Sequence, residues 1–277
     1  MLEIPEARTI AGQISTAFTG KTLNTVIAAA SPHKFAWYHG DPAEYPARLT
    51  RSAVLSAEAR GGIVQVNFTR ARLTFSDGVN LRRLAPAEPP PPKHQLLLAF
   101  DDGSSLAASV QMYGGLLCWP DTEELDNPYY RVACEKPSPL NDNLFTEAYF
   151  LTLLAAEPVQ KLSLKAALAT EQRIPGLGNG VLQDILWRAR LSPRRRVNTL
   201  SAEETHTLFT ALKHTLTEMT RLGGRDTEKD LFGSPGGYTT VMSAKNSGAP
   251  CPACGTPITK EAYLGGSVYY CGQCQPA

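Results

Sequence analysis

The spacing of apolar residues divides the chain into a β-type first half and a helical second half. Apolar side chains recur at helical spacing over residues 3–18, and Pro5 suits the first turn of such a helix. Over residues 23–119 the pattern changes to short apolar runs typical of strands, and the turn sequences SDG and DDGS between such runs predict β-hairpins. Beyond residue 140 helical periodicity returns, and the last long helix, predicted over 201–222, opens with a capping-box sequence. The pattern therefore predicts an α+β protein with a leading helix, a β-rich N-terminal domain and a helical domain.

Composition and charge narrow the class of protein. Hydrophobic residues make up 43% of the 277 residues, which is enough for a buried core and excludes wholesale disorder. A formal net charge of +1 excludes a highly basic DNA-coating protein but leaves room for local cationic clusters. No apolar run approaches the roughly 20 residues that span a bilayer, and the N-terminus lacks the basic start and apolar stretch of a signal peptide. We therefore expect a cytoplasmic protein that makes no membrane contact.

The cysteines are concentrated at the C-terminal end of the chain. Cys251 and Cys254 form one CxxC pair, Cys271 and Cys274 form a second, and 16 residues separate the two pairs. This spacing is typical of a four-cysteine site for one structural Zn²⁺ ion, although other thiolate-bound metals and redox-active pairs share the pattern. Since four protein ligands leave no open position for catalysis, we expect the ion to support the hairpin between the two pairs.

A glycine-rich turn and a run of arginines form a second candidate site. The segment RIPGLGNG, residues 173–180, leads directly into a predicted helix. Its glycines permit a tight turn, and free N–H groups at a helix start attract anions, which makes Gly178 and Asn179 candidates for phosphate binding. A simple connection between two helices explains the turn equally well. Arg194 and Arg195 follow that helix, either as part of a phosphodiester-binding surface or as an ordinary solvated face.

Three further segments carry side chains suited to nucleic acid. Residues 31–39, SPHKFAWYH, combine aromatic and basic residues, and Trp37 is either a stacking surface or the core of a strand. Met112 and Tyr113 are either a wedge into a base stack or a packed strand end. Lys93, after a proline-rich connector, either contacts a phosphate or begins a strand.

In this order, the segments resemble the formamidopyrimidine-DNA glycosylase/endonuclease VIII family of base-excision-repair proteins. The resemblance covers the N-terminal helix, the β-rich domain, the segment IPGLGNGVLQDILW and the ending CPACGTPI…YYCGQCQ. It implies an N-terminal β-sandwich domain (1–133), a helix-two-turn-helix DNA-binding domain (141–245) and a four-cysteine zinc finger (246–277). Family members flip a damaged base out of the duplex, cut its glycosidic bond and cleave the abasic strand. The resemblance therefore implies damaged or abasic duplex DNA as the partner, and association with the nucleoid when DNA is bound.

The resemblance assigns roles to individual residues and also shows departures. Asn179 matches the family's phosphate-binding asparagine, and Glu3 matches the acid beside the nucleophile. The nucleophile itself, an N-terminal proline, falls on Leu2, the β-domain lysine falls on Gly62, and the finger arginine falls on Gly266. We therefore expect a DNA-binding protein in which the usual proline-dependent chemistry is lost.

Three alternatives remain at this stage. An active glycosylase/lyase would use the α-amine of Met1, retained because the bulk of Leu2 blocks methionine removal, with Glu3 or Glu6 as acid/base. Alternatively, Glu3 and Glu6 only stabilise the start of their helix. An RNA- or protein-binding module on the same scaffold is an alternative of another class, and the sequence names no protein partner.

Overall fold

In the computed structural model, which describes residues 1–276, the chain forms a β-sandwich, a helical body and a small β-hairpin module. Residue 277, the last of the predicted finger, lies outside the described residues. The α+β architecture predicted from the sequence is confirmed.

The β-sandwich consists of two sheets. Within the described residues its strands are β1 (Leu23–Ala28), β2 (Ala36–Tyr38), β3 (Val54–Arg60), β4 (Ile63–Phe68), β5 (Ala71–Phe75), β6 (Val79–Leu84), β7 (Leu96–Phe100), β8 (Ser105–Val110) and β9 (Gly114–Pro120). One sheet has the order β2-β9-β5-β4-β3 and the other the order β1-β7-β8-β6. Neighbouring strands are antiparallel, except that β2 runs parallel to β9.

The two turn sequences of the sandwich behave differently. DDGS joins β7 to β8, which pair as an antiparallel hairpin, as predicted. The prediction of a hairpin at SDG is wrong, because β5 pairs with β4 and β9 whereas β6 pairs with β8 in the other sheet. This turn is a corner between the sheets, and Asp77 adopts a φ of +57° there.

The helices pack on the sandwich and on one another. They are α1 (Ile4–Phe18), α2 (Tyr45–Leu49), α3 (Pro128–Glu135), α4 (Glu147–Ala155), α5 (Glu157–Gln160), α6 (Leu164–Ala169), α7 (Asn179–Arg188) and α8 (Ala202–Arg221). The predicted capping box at the start of α8 is present: the Ser201 hydroxyl accepts from the Glu204 N–H, and the Glu204 carboxylate accepts from the Ser201 N–H. No helix among residues 1–276 has the length and apolar character needed to cross a membrane.

Helix α1 contributes side chains to the core of the sandwich and to the core of the helical body. Ile10, Ile14 and Phe18 are buried among the strands of the sandwich, and the Phe18 ring stacks on Phe100 with centroids 4.4 Å apart. Ile4, at the first turn, is instead buried in the helical core. The start of α1 therefore lies where the sandwich meets the helical body, and the acidic residues around it lie there as well.

The C-terminal module is a two-stranded hairpin with little core of its own. Strands β10 (Thr259–Tyr263) and β11 (Gly266–Tyr270) are joined by Leu264 and Gly265, whose φ angles are +47° and +73°. Positive φ at both central residues matches the tight turns that suit the twist of a hairpin. The buried apolar residues of this module form only a small cluster, so the fold needs another source of stability.

Candidate functional site

Glu3 caps the start of α7. Its carboxylate accepts hydrogen bonds from the N–H groups of Gly180, at 2.9 Å, and Val181, at 2.8 Å, and the residue is 2% exposed. Glu3 forms no side-chain capping hydrogen bond to α1, its own helix, so its hydrogen bonds are spent on α7. A carboxylate of this chain occupies the positive end of the α7 dipole, so these two N–H groups are already used.

Arg225 lies between the two acidic residues of α1. Its Nε and Nη2 donate to the two Glu6 carboxylate oxygens, both at 2.9 Å, and its Nη1 lies 3.5 Å from Glu3 Oε2. All three side chains are almost fully buried. The sequence analysis did not identify Arg225 as part of this site. The available signal was an arginine in a glycine-rich loop, together with two acidic residues on the core-facing side of one helix.

Burial and charge act in opposite directions on these groups. Burial raises the pKa of Glu3, and the nearby Arg225 and the two N–H groups offset this only in part. For Glu6 burial also favours the neutral form, but the charge and hydrogen bonds of Arg225 outweigh it and lower its pKa. Glu6 is therefore committed to an ion pair, whereas Glu3 has the raised pKa that suits a proton donor.

Gly178 and Gly180 of the IPGLGNG turn leave the space that the side chains of Glu3 and Arg225 occupy. A Cβ on residue 178 would lie 2.6 Å from Glu3 Oε1, and a Cβ on residue 180 would lie 1.5 Å from Arg225 Nη1. The N–H groups of Gly178 and Asn179, by contrast, find no acceptor within residues 1–276. Part of the turn thus accommodates the acidic cluster, while its first donors remain free for an anion.

Gly62 lies at a close contact between the sandwich and the helical body. A Cβ there would be 3.0 Å from Gly176 Cα and 3.1 Å from the Leu2 carbonyl oxygen. At neighbouring Gly61 it would be 2.7 Å from the Pro175 carbonyl oxygen. The position onto which the family's lysine falls therefore has no room for a side chain unless the backbone moves.

Leu2, at the position of the family's nucleophile, is held against the sandwich. The Leu2 nitrogen is a peptide N–H that donates to the Asp77 carbonyl oxygen at 2.7 Å, and its side chain is buried in the sandwich core. The α-amine of Met1 forms an ion pair with Glu228. Met1 and Glu6 both line a cavity of about 690 Å³, bordered on one side by the loop 227–233.

Asn179 joins α7 to the C-terminal hairpin. Its Nδ2 donates to the Ser267 carbonyl oxygen at 2.8 Å, while its buried Oδ1 has no partner among the described residues. One turn further along α7, the Gln183 side chain accepts from the Tyr269 N–H. The hairpin is therefore fixed on the first two turns of α7, and Asn179 is half-buried rather than sealed inside.

The three cationic residues that the sequence offers for phosphate binding, Arg194, Arg195 and Lys93, lie in different parts of the structure. Arg194 binds Glu261 of the hairpin at 2.6 Å and lies over the Tyr263 ring at 4.1 Å. Arg195 pairs with Glu204 at the start of α8, and Lys93 is exposed in the loop between β6 and β7. Of the three, Arg194 is the residue that the structure brings to the hairpin beside Asn179.

An aromatic surface lies on the sandwich. The interpretation of Trp37 as a core residue is wrong: it is 49% exposed, because β2 is a three-residue strand at the edge of its sheet. Its ring lies 5.8 Å from that of Tyr113, and neighbouring Met112 is also exposed. These side chains therefore form an exposed apolar surface and do not pack as the end of a strand.

The four cysteines of the C-terminal module come together. The sulfur atoms of Cys251, Cys254, Cys271 and Cys274 all lie within 4.8 Å of one another. A tetrahedral ion with metal–sulfur bonds of about 2.3 Å separates its ligands by about 3.8 Å. The donor set and its spacing therefore fit one thiolate-bound metal ion.

Comparison with known proteins agrees with this geometry. The model of the formamidopyrimidine-DNA glycosylase H2TH domain matches residues 136–230. Formamidopyrimidine-DNA glycosylase of Geobacter sulfurreducens is 28% identical over 280 residues, which cover 99% of this chain and 100% of that protein. The corresponding protein of Thermus thermophilus is 27% identical over 289 residues, covering 99% of this chain and 98% of that one.

Solved structures share the whole fold. The crystal structure of MutM (Fpg) from Thermus thermophilus has a TM-score of 0.80 and 25% identity, over 99% of this chain and 98% of that one. Fpg of Lactococcus lactis, in complex with abasic-site DNA, has a TM-score of 0.83 and 22% identity, over 99% and 100% of the two chains. In its architecture, its matching H2TH segment and its four-cysteine cluster, the chain is similar over almost its whole length to proteins of the formamidopyrimidine-DNA glycosylase/endonuclease VIII family.

Proposed function

We propose that this protein binds damaged or abasic duplex DNA between its sandwich and its helical body, and that the usual proline-dependent chemistry is lost. Residues 1–133 would form the glycosylase-like domain, 141–245 the helix-two-turn-helix domain and 246–277 the zinc finger. The observation that carries the proposal is the surface formed by Asn179 and the hairpin, where a carboxamide and free N–H groups lie together. The choice of ligand follows from the family, which includes an Fpg solved with abasic-site DNA.

Zinc is the metal that best suits the four-cysteine cluster. Four thiolates at tetrahedral spacing are typical of structural Zn²⁺ sites, which leave no ligand position open. Bound Zn²⁺ would hold the two cysteine pairs together and so keep the hairpin fixed on α7. Its contribution is therefore to position the DNA-binding surface rather than to take part in a reaction.

The loss of proline-dependent chemistry is supported by the N-terminus. The reaction needs a free amine that attacks C1′ of the sugar, and the family's proline is replaced in this chain by Leu2, whose side chain is buried in the sandwich core. Glu3, the matching acid, is still present, hydrogen-bonded to the N–H groups of Gly180 and Val181 and close to Arg225. The support for lost chemistry therefore comes from position 2 and not from the acid.

Replacing Asn179 with alanine tests the binding surface. We expect Asn179→Ala to weaken affinity for a duplex with a tetrahydrofuran abasic analogue by roughly 10- to 100-fold, because a hydrogen bond to a charged group contributes about 1.5–3 kcal/mol. The loss should be uniform across sequences, since phosphate contacts carry no sequence information. Fluorescence anisotropy with labelled duplexes measures it.

The exposed Asn143, in the loop before α4, provides a matched control in the variant Asn143→Ala. Zinc content and thermal unfolding of Asn179→Ala check that the hairpin remains in place. An affinity equal to that of the unmodified protein would contradict the proposal.

A working lyase that uses the amine of Met1 is the second candidate. The observation that favours it is the position of Met1 on a cavity of about 690 Å³, next to Glu6 and the loop 227–233. A misplacement of about 1 Å can cost 100-fold in rate, and this amine is one residue further out than the usual nucleophile.

Borohydride trapping on abasic-site DNA separates the two candidates. The first predicts no covalent adduct at enzyme concentrations that saturate the DNA. An adduct that disappears when the α-amine is acetylated would establish the second candidate instead.

A further inference from the structure

A groove on the exposed face of α1 carries positive charge that no acidic residue of the protein neutralises. It has a volume of about 470 Å³, lies between α1 and the C-terminal end of α8, and is bordered by Arg8 and Arg221, which are both exposed. No Asp or Glu lines it, and neither guanidinium group forms a hydrogen bond or an ion pair among residues 1–276. The groove therefore suits an anionic ligand.

The floor of the groove lacks a side chain where the fold leaves room for one. Gly12 lies in the middle of α1, and a Cβ at this position would meet nothing within 4 Å. A glycine inside a helix lowers its stability relative to alanine, and no packing contact requires one here. A local rule that is broken without a structural gain points to a function, and a surface without side chains lets a second backbone approach closely.

An exposed aromatic ring lies at the same groove. Phe232 is 52% exposed, and its N–H donates to Asp230 Oδ1 at 3.0 Å, while neighbouring Leu231 is buried in the sandwich core. Gln13 of α1 fixes this turn on the helix. Its Nε2 donates to Asp230 Oδ2 and its Oε1 accepts from the Leu231 N–H, both at 2.9 Å. Hydrogen bonds on both sides thus hold the ring in place at the surface.

We propose that this groove binds a short acidic segment of another protein, one that carries an aromatic or aliphatic side chain. The carboxylates of the segment pair with Arg8 and Arg221. Its apolar side chain packs on Phe232, and its backbone lies over Gly12. Aromatic residues and arginine are enriched in protein–protein interfaces and in the few residues that carry most of their binding energy. The inference goes beyond the proposed function, because none of these residues belongs to the surface at Asn179.

Single-stranded nucleic acid is the alternative occupant, because it also combines negative charge with flat rings. Successive bases stack on successive aromatic side chains, and Phe232 is the only aromatic residue among those that line the groove. A peptide with one apolar side chain therefore fits better, and an oligonucleotide of equal charge serves as the competing ligand in the test.

The experiment measures binding of a fluorescein-labelled peptide to the full-length, zinc-loaded protein by fluorescence anisotropy. The peptide has about ten residues, with Asp and Glu around one Phe, and in the control peptide Asn and Gln replace the acidic residues. We expect the acidic peptide to bind with a Kd below about 100 μM, and at least about fivefold more tightly than the control peptide.

Two double variants compare the groove with the rest of the surface. Arg8→Gln with Arg221→Gln removes the two guanidinium groups of the groove, whereas Arg51→Gln with Lys161→Gln removes two exposed cations elsewhere. We expect the first pair to weaken peptide binding at least about fivefold and the second pair to leave it unchanged. Both pairs should bind the abasic duplex equally, and failure of the unmodified protein to bind any duplex would overturn only the proposed function.

Substitutions at the ring and at the floor keep both arginines. Phe232→Ala removes the ring, and Gly12→Gln places a side chain in the groove, where nothing lies within 4 Å to be displaced. We expect each to weaken peptide binding at least about fivefold, with the protein still folded in thermal unfolding. Equal affinity of the two double variants, or no preference for the acidic peptide, would overturn the proposal. Tighter binding of the oligonucleotide, lost in the same variants, would overturn it as well.

Discussion

At the scale of single residues, the start of the chain is organised by one buried arginine. Arg225 brings the Glu3 and Glu6 carboxylates together, and the glycines of the IPGLGNG turn leave the space that these groups occupy. A buried ion pair contributes modestly as a whole, but breaking it leaves a charge without compensation, which costs about 3–5 kcal/mol. Glu3 and Glu6, the acidic residues that the sequence offers for catalysis, therefore also help to hold the sandwich and the helical body together.

Two glycine-to-alanine substitutions test this packing. Gly180→Ala places a methyl group where Arg225 lies, so we expect it to lower the free energy of unfolding by more than about 3 kcal/mol. Gly12→Ala is the matched control, because a Cβ at this position of α1 meets nothing within 4 Å. It should raise stability by about 0.5–1 kcal/mol through helix propensity. Urea denaturation followed by circular dichroism measures both, and equal stabilities would contradict the packing described.

At the scale of elements, local sequence signals predicted the helices well and the long-range contacts poorly. Helix α1, the helix after the glycine turn and the capping box of α8 all follow from residues near one another in the chain. The SDG turn was misassigned, because nothing local shows that its two strands pair in different sheets. Trp37 was misassigned as well, since exposure at a sheet edge depends on how many strands lie beyond it.

The hairpin module depends on its metal more than on its core. Its buried cluster includes two cysteines and packs against Trp187 of α7. We expect removal of the metal by a chelator to shift the fluorescence of Trp187 and to abolish DNA binding, while the sandwich around Trp119 stays folded.

A Trp187→Phe variant shows which part of the fluorescence change comes from this module. Readdition of Zn²⁺ should restore binding. Full DNA affinity in protein shown by elemental analysis to be free of metal would contradict the supporting role of the ion.

At the scale of the whole molecule, the sandwich and the helical body contact each other through backbone atoms and through buried charged side chains. Gly62 lies against Gly176, and Glu3 reaches from the start of α1 to the start of α7. The cysteines and Asn179 could be identified from spacing and motif alone. Arg225 could not, because it acquires its partners only when segments far apart in the chain are folded together.

The formal charge of +1 also means that affinity for DNA must come from local groups. Asn179 and the free N–H groups of the glycine turn are concentrated at one end of α7, next to the hairpin. Contact with a phosphodiester backbone at this end predicts binding that salt weakens steeply.

The most direct test is the salt dependence of duplex binding by the unmodified protein, measured with an abasic-analogue duplex and an intact duplex of the same sequence. The account predicts tighter binding of the abasic duplex, and a linear fall of log affinity with log salt concentration whose slope corresponds to several phosphate contacts at about 0.9 each. Equal and salt-independent affinities for the two duplexes, or no binding at low salt, would contradict it.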